Sequence, residues 1–304
     1  MSRILITGIS GFIGGFLYEA LRGPETYGLM RHTSMRYPTD PNIIPGDIVD
    51  GDVYRVVQEI SPDIVLHLAA VSSNERALAF PVQAMRVNTV GTARMTQACK
   101  SVPNLKAFIQ ASSSEVCGAQ DGLRNPYIAS KIAAEEVVKS SGLPYVIMRP
   151  FNTYGRGPIG LPRFVVDEAI YSGLTRSEVY LRDPEPRRDF LFRDDHVNAY
   201  LSVVAAIGVD DRVLGQTLQF GTGQVFSIRE LAEMVAIRTN SSVGFGEGKR
   251  TGDVPLLQSD NSKSEELLDW RVEYLFEEGL TQAISEWEAW LYAHGVAEKA
   301  AAAV

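Results

Sequence analysis

The sequence predicts an α/β protein: a doubly wound parallel sheet in its first half, then a smaller C-terminal α/β lobe. Three observations carry that expectation. Short apolar runs alternate with helical stretches up to about residue 150. The first run ends in a glycine turn, Gly8-Ile9-Ser10-Gly11-Phe12-Ile13-Gly14. Beyond residue 150 the alternation loosens into short helices, Gly/Pro turns and an arginine-rich stretch.

Taken in order, residues 3–7 read as the first strand and the glycine turn as its link to a helix running to about Leu21. Glycines at this place let backbone approach a pyrophosphate, and the helix N-terminus offers N–H groups and a positive dipole end. The expected nucleotide contacts are Gly8, Gly11, Phe12, Ile13 and Gly14. Residues 26–30 form the second strand, and Arg31 stands where dinucleotide folds often carry an acid for the ribose hydroxyls. Arginine there suits a 2′-phosphate, and equally stacks on adenine, so both NADP and NAD stay open. A short strand at 42–44, a helix at 53–60 and a buried strand at 63–68 follow. Leu68-Ala69-Ala70 offers small residues at that strand's tip. A single long helix is expected over 82–100 and a strand over 105–111.

Residues 110–131, QASSSEVCGAQDGLRNPYIASK, hold the chemistry. If Pro126 opens a helix, Tyr127 and Lys131 lie one turn apart on one face. An ammonium beside a phenol favours phenolate, which suits proton exchange with a substrate hydroxyl. The preceding strand is expected to stay extended, so that Ser113, Glu115 and Cys117 share one face. Further on, 145–148 reads as a strand, 197–206 as an apolar helix, and 227–239 as a helix with Ser227 at its N-cap and Glu230 three later. Another amphipathic helix covers 279–292. The expected domains are 1–150, with parts of about 190–225 returning to it, and 151–295, with a frayed tail over 296–304.

Composition narrows the partners. With 29 Lys+Arg against 37 Asp+Glu the formal charge is -8, which argues against nucleic acid and anionic membrane surfaces. An anionic ligand then needs a local arginine cluster. Cys99 and Cys117 are the two cysteines, without metal-ligand spacing, so no metal and no disulfide framework are expected. No apolar run approaches the ~18 residues of a membrane span, and no signal pattern opens the chain; a cytoplasmic protein is expected.

Taken together, the motifs resemble the extended short-chain dehydrogenase/reductases, the NAD-dependent epimerase/dehydratase family with its Rossmann fold. They are Thr7-Gly8-x-x-Gly11-x-x-Gly14, Asp47-Ile48, His67-Leu68-Ala69-Ala70, Asn88-x-x-Gly91-Thr92, Ser112 to Gly118, Tyr127-x-x-Ser130-Lys131, Arg149-Pro150-Phe151-Asn152, Arg188-Asp189-Phe190-x-x-x-Asp194-Asp195 and Arg250-x-Gly252-Asp253. The resemblance implies NAD or NADP, bound and recycled, with Asp47, Ile48, Leu68, Ala69, Ala70 and Asn88 joining Arg31 and the glycines as cofactor contacts. It implies Ser113, Tyr127 and Lys131 as the catalytic set, with Lys131 lowering the tyrosine pKa. Ser72, Ser113, Asn152, Arg188 and Arg250 would contact a nucleotide-diphosphate sugar, bound by the C-terminal, substrate-binding lobe. A homodimer is implied, with helices over 88–100 and 127–139 packing across a two-fold axis.

Glu115 stands where sugar-nucleotide dehydratases carry a glutamate, and Cys117 where the family usually has tyrosine. Ser114 occupies a place where some dehydratases carry an aspartate acid, and Cys117 could stand in for that acid. The expected activity is a dehydratase (lyase) of sugar biosynthesis for antibiotics or surface glycans. It would oxidise C4 transiently, eliminate water across C5 and C6, and return hydride to C6 or to C4. The second outcome is that of the hexosamine 5,6-dehydratases of tunicamycin-type antibiotic biosynthesis, whose substrate class includes UDP-GlcNAc. The alternatives are a 4-epimerase, a 4-keto-6-deoxyhexose reductase, and a non-catalytic cofactor-binding relative.

Overall fold

In a computed structural model, residues 2–31, 39–119, 125–158, 162–246, 248 and 252–296 are described. In chain order the elements are β1 (Ile4–Thr7), α1 (Phe12–Leu21), β2 (Thr26–Met30), β3 (Ile43–Pro45), α2 (Val53–Ile60), β4 (Ile64–His67), α3 (Asn74–Ala79) and α4 (Pro81–Met85). A π-helical turn (Arg86–Val90) leads to α5 (Gly91–Cys99), β5 (Ala107–Ala111), α6 (Glu115–Gly118), α7 (Pro126–Lys139), β6 (Tyr145–Pro150) and β7 (Asn152–Tyr154). Then come α8 (Val165–Arg176), β8 (Glu178–Arg182), β9 (Arg187–Arg188), β10 (Phe190–Phe192), α9 (Arg193–Ala206), β11 (Gln216–Phe220), β12 (Phe226–Ser227), α10 (Ile228–Thr239), β13 (Ser242–Gly246), β14 (Leu256–Leu257), α11 (Ser262–Leu268) and α12 (Phe276–Ala293).

The chain forms two compact units. The first comprises Met1–Arg149, Val197–Gln219 and Ser262–Trp270; the second comprises Pro150–His196, Phe220–Asn261 and Arg271–Val304. In the first, a seven-stranded sheet runs β11-β6-β5-β4-β1-β2-β3, a Rossmann-like α/β order. The pairs from β3 through β6 are parallel. Register sets Thr7 opposite His67 and His67 opposite Gln110, so polar residues line up at the carboxyl ends of the central strands. Below them Leu5, Val65, Phe108 and Ile147 continue the row into a core shared with Val56, Met95 and Val138. Ligands of such sheets lie beyond those strand ends.

Two expectations need correction. The helix expected over 82–100 is not uniform, because the π-helical turn separates α4 from α5. The strand expected to carry Ser113, Glu115 and Cys117 ends at Ala111, and Glu115–Gly118 is helical. Ser112 N donates to Met148 O at 2.7 Å as the last sheet bond on that side. Ser114 then turns αR, and Ser113 Oγ accepts from Glu115 N at 3.3 Å. Serine side chains bonding local backbone compete with extension, and here they win.

The second unit buries an aromatic core of Tyr154, Phe190, Phe192, Phe276 and Trp287 against the apolar face of α10. The capping box at Ser227 and Glu230 is present. Asp189 is fully buried, and accepts from Thr222 and Gly223 N–H groups and from Ser259, closing the loop around β9 and β10. Residues 297–304, expected to fray, lie outside the described residues.

Candidate active site

Local sterics dictate the glycine turn. Gly8 has φ +78°, and a Cβ there would sit 2.7 Å from Ala69 N. At Gly14 a Cβ would collide with the Gly8 carbonyl. Gly11 precedes α1 without any side-chain cap, and an uncapped helix start of this kind suits an anionic ligand. Thr7 Oγ1 accepts from Ala69 N at 3.1 Å and bonds His67 Nδ1 at 2.9 Å, tying the turn to the small-residue loop after β4. Burial, and secondly the Lys131 charge, push the His67 pKa down to about 3, so the ring is neutral. An uncapped helix start, a glycine turn that excludes Cβ atoms and the Ala69-Ala70 tip together fit a dinucleotide pyrophosphate.

Arg31 and Asp47 are brought together. With Asp50, Phe80, Arg86 and Val87 they line a cavity of about 470 Å³. Asp47 accepts from the N–H groups of Val49 and Asp50, at 2.7 and 3.3 Å, and shapes that wall. Ile48 is buried in the core beneath. Asn88, expected to touch the cofactor, is buried at 2 % exposure and turned inward. Its Oδ1 accepts from Val71 N at 2.7 Å, and its Nδ2 donates to Val71 O and to Ser130 Oγ. Its amide therefore pins the loop after β4 to α7. Ser72 is exposed on that loop.

Asn125 caps α7 by accepting from Ile128 N, and Pro126 opens it, which places Tyr127 and Lys131 as the spacing predicts. Tyr127 bonds Ser113; burial and then the Glu115 charge hold its pKa well above that of a free phenol. Lys131 Nζ lies 6.0 Å from the Tyr127 ring centroid and donates to Ala111 O at 2.9 Å. Burial lowers the Lys131 pKa to about 8. The influence that lowers the Tyr127 pKa is the Ser113 hydrogen bond, and burial outweighs it.

Glu115 and Cys117 diverge because α6 is helical. Both Glu115 oxygens accept from Asn74 Nδ2, at 2.7 and 2.9 Å. Cys117 Sγ instead faces Arg149 Nη1 at 3.7 Å. Behind it Arg149 grips Glu135 through Nε at 2.8 Å and Nη2 at 2.6 Å, and Ser112 Oγ donates to the same carboxylate. Burial would raise the Glu135 pKa, but the Arg149 and Ser112 hydrogen bonds leave it lowered. Burial raises Cys117 despite the opposing Arg149 charge, so the thiol keeps its proton. Both cysteines are free.

Asn152 and Arg188 belong to the second unit. Asn152 Oδ1 is buried without a partner. Arg188 is 5 % exposed and its Nη2 donates to Asp253 at 2.6 Å, an engagement the sequence reading did not foresee. Arg250 lies outside the described residues, as does part of the short connection between Gly118 and Tyr127. Sequence reasoning missed Asn74 and Glu135. Glu135 had a signal, since it follows Lys131 by one helical turn; Asn74 had none, standing 41 residues from its partner.

The fold and these side chains define a dinucleotide-dependent enzyme with a Ser/Tyr/Lys centre. Residues 4–213 match the NAD dependent epimerase/dehydratase family, and the chain belongs to it. It is 27% identical over 317 residues to the UDP-glucose 4-epimerase of Mycolicibacterium smegmatis, covering 93% of this chain and 97% of that one. With the dTDP-glucose 4,6-dehydratase of Xanthomonas campestris pv. campestris it shares 29% over 331 residues, covering 93% and 92%. Among solved structures it is similar to TunA, an NAD dependent NDP-hexosamine 5,6-dehydratase of tunicamycin biosynthesis. The TM-score is 0.80 at 25% identity, covering 95% of this chain and 98% of that one. No helix among the described residues is long and apolar enough to cross a membrane.

Proposed function

We propose that this enzyme is a sugar-nucleotide dehydratase. The observation that carries the reading is the Glu115 carboxylate, held close enough to Tyr127 for its charge to act on the phenol that Ser113 bonds. An epimerase needs Ser113, Tyr127 and Lys131; a second, anchored carboxylate beside them is what removal of a C5 proton requires. The glycine turn, the Ala69-Ala70 tip and Lys131 would hold NAD(P), which when bound supplies reversible hydride transfer at C4. Arg31 leaves the choice between NAD and NADP with the substrate-free enzyme's own affinity for each.

Tyr127 exchanges the proton of the C4 hydroxyl, and Ser113 orients that hydroxyl. Oxidation at C4 acidifies the neighbouring C5–H, and Glu115 takes that proton. The protonated Glu115 then gives its proton to the C6 hydroxyl, which departs as water and leaves a C5–C6 double bond. Hydride return to C4, with the Tyr127 proton going back to the C4 oxygen, keeps that bond as an exo-glycal; hydride return to C6 with a proton taken up at C5 gives a 4-keto-6-deoxy sugar. Because Cys117 faces Arg149 rather than Glu115, we assign it to the support of the buried Arg149–Glu135 pair.

The test is mass spectrometry of products from UDP-N-acetylglucosamine, UDP-glucose, GDP-mannose and dTDP-glucose with catalytic NAD or NADP. Loss of one water without net cofactor consumption is expected, with release to water of a deuterium label carried at C5 of the substrate, a release that Glu115→Gln abolishes. A new isomer of unchanged mass would establish the 4-epimerase reading, which the mycobacterial relative favours.

A further inference from the structure

We propose that Asn74 is a positioning residue for Glu115: its side-chain amide orients the carboxylate and favours the ionised form that accepts a proton. This rests on the dehydratase reading of Glu115. Asn74 opens α3, whose N-cap Ser73 accepts from Arg76 N, so the asparagine is projected from the first turn of a fixed element. Its Nδ2 bridges both carboxylate oxygens, at 2.7 and 2.9 Å. Hydrogen bonds to an anion are stronger than those to the neutral acid, so this donor stabilises the carboxylate more than the protonated group. Asn74 Oδ1 is buried and has no partner. A buried, unsatisfied acceptor is a liability for packing, so the side chain's contribution is the donor it presents to Glu115.

Tyr127 from α7 lies within reach of the Glu115 charge and Ser113 Oγ accepts from Glu115 N; Cys117, on the same turn, faces Arg149, and Glu75 and Arg76, next to Asn74 on α3, are exposed. Among these, Tyr127 is raised partly by the Glu115 charge, which places the two within mutual influence. Asn74 donates to the carboxylate from the side of the sheet's β4 loop, and removing it leaves that charge less well held.

Selective carbon-13 labelling of glutamate carboxyls in the full chain reads the outcome by NMR, with the Glu115 signal assigned by its loss in Glu115→Gln. Asn74→Ala is expected to raise the Glu115 titration midpoint. Asn74→Asp, which sets a second carboxylate against it, is expected to raise it further, by on the order of one pH unit or more. Asn74→Gln, which keeps the amide donor, should stay nearer the parent. The acid limb of the pH–rate profile should move in the same order, with kcat falling roughly 10- to 100-fold in Asn74→Ala. A midpoint unchanged in both Asn74→Ala and Asn74→Asp overturns the inference, and thermal melts of the same samples establish that the variants are folded. Failure of the dehydratase reading of Glu115 shows separately, as release of the C5 label that persists in Glu115→Gln while the midpoint still responds to Asn74.

Discussion

Tyr127 sits in a site whose burial opposes the very ionisation its proton exchange needs. The hydroxyl of Ser113 eases that opposition, while Glu115 adds to it. Removing the phenol oxygen should therefore remove the acid/base step without disturbing the binding elements. Tyr127→Phe is expected to lower turnover by ~10²–10⁴-fold, with cofactor affinity by fluorescence titration little changed. Cys117→Ala is expected to cost less than about fivefold, under ~1 kcal/mol in the barrier, because its sulfur faces Arg149 and not the Glu115 carboxylate. A far larger loss would return the thiol to the role of acid for the departing hydroxyl. At this scale the pairing of Tyr127 with Lys131 was legible in the sequence, because helix spacing links them, while Ser113 was named only by the family resemblance. It could not show Asn74, because that contact depends on how two loops end on neighbouring strands.

At the scale of elements, the glycine turn and the helix it feeds behave as one unit. Gly14→Ala would drive a methyl into the Gly8 carbonyl, so α1 has to shift away from β1. The expected result is loss of cofactor binding, together with a lowered melting temperature, both readable by thermal shift with and without NAD. Within the second unit, Asp167 on α8 accepts from Trp287 Nε1 at 2.9 Å, yet burial raises its pKa to about 7. The sign follows from linkage: between its ordinary value of 3.8 and about 7 the unfolded chain is ionised there while the folded one holds the proton. This group's contribution thus declines as pH rises through that window and stays low above it. Asp167→Asn keeps the acceptor oxygen without the charge, so its melting-temperature advantage over the parent should be greater at pH 8 than at pH 5. Element boundaries were legible where a cap enforced them, as at Ser227 with Glu230 and at Asn125 with Pro126. They were misread at 113–117, where alternation suggested a strand and serine hydroxyls made a turn instead.

For the whole molecule, the parallel, doubly wound sheet was legible from the alternation of apolar runs, since a parallel sheet needs a crossover between successive strands, while its strand order and the strand at Gln216–Phe220 were not. The second unit was less so, because its sheets have two or three short strands that carry no period long enough to read. Leu78, Phe80, Val82, Met85 and Val90, from α3 to the π-helical turn, are exposed large apolar residues on neighbouring elements. Such a patch supports the homodimer implied by the sequence resemblance. Light scattering of the parent should give twice the chain mass, and Val82→Glu with Met85→Glu should give the chain mass with an unchanged circular dichroism spectrum. A monomeric parent would remove the dimer from the account.

The π-helical turn at Arg86–Val90 amounts to one residue more than a regular helix would use over the same distance. That surplus makes the segment an indel detector. Deleting Thr89 would let α4 and α5 fuse into an ordinary helix with both flanks in place, while the residues of the turn itself rotate. Asn88 would then point away from Val71 and Ser130, and the loop carrying Ala69 and Ala70 would lose its tether to α7. A protein shortened by this single residue should still fold its sheet, yet bind dinucleotide weakly. The extra residue, invisible as an apolar pattern, is what lets the turn present Asn88 to Val71 and Ser130 while the helix on either side keeps its packing.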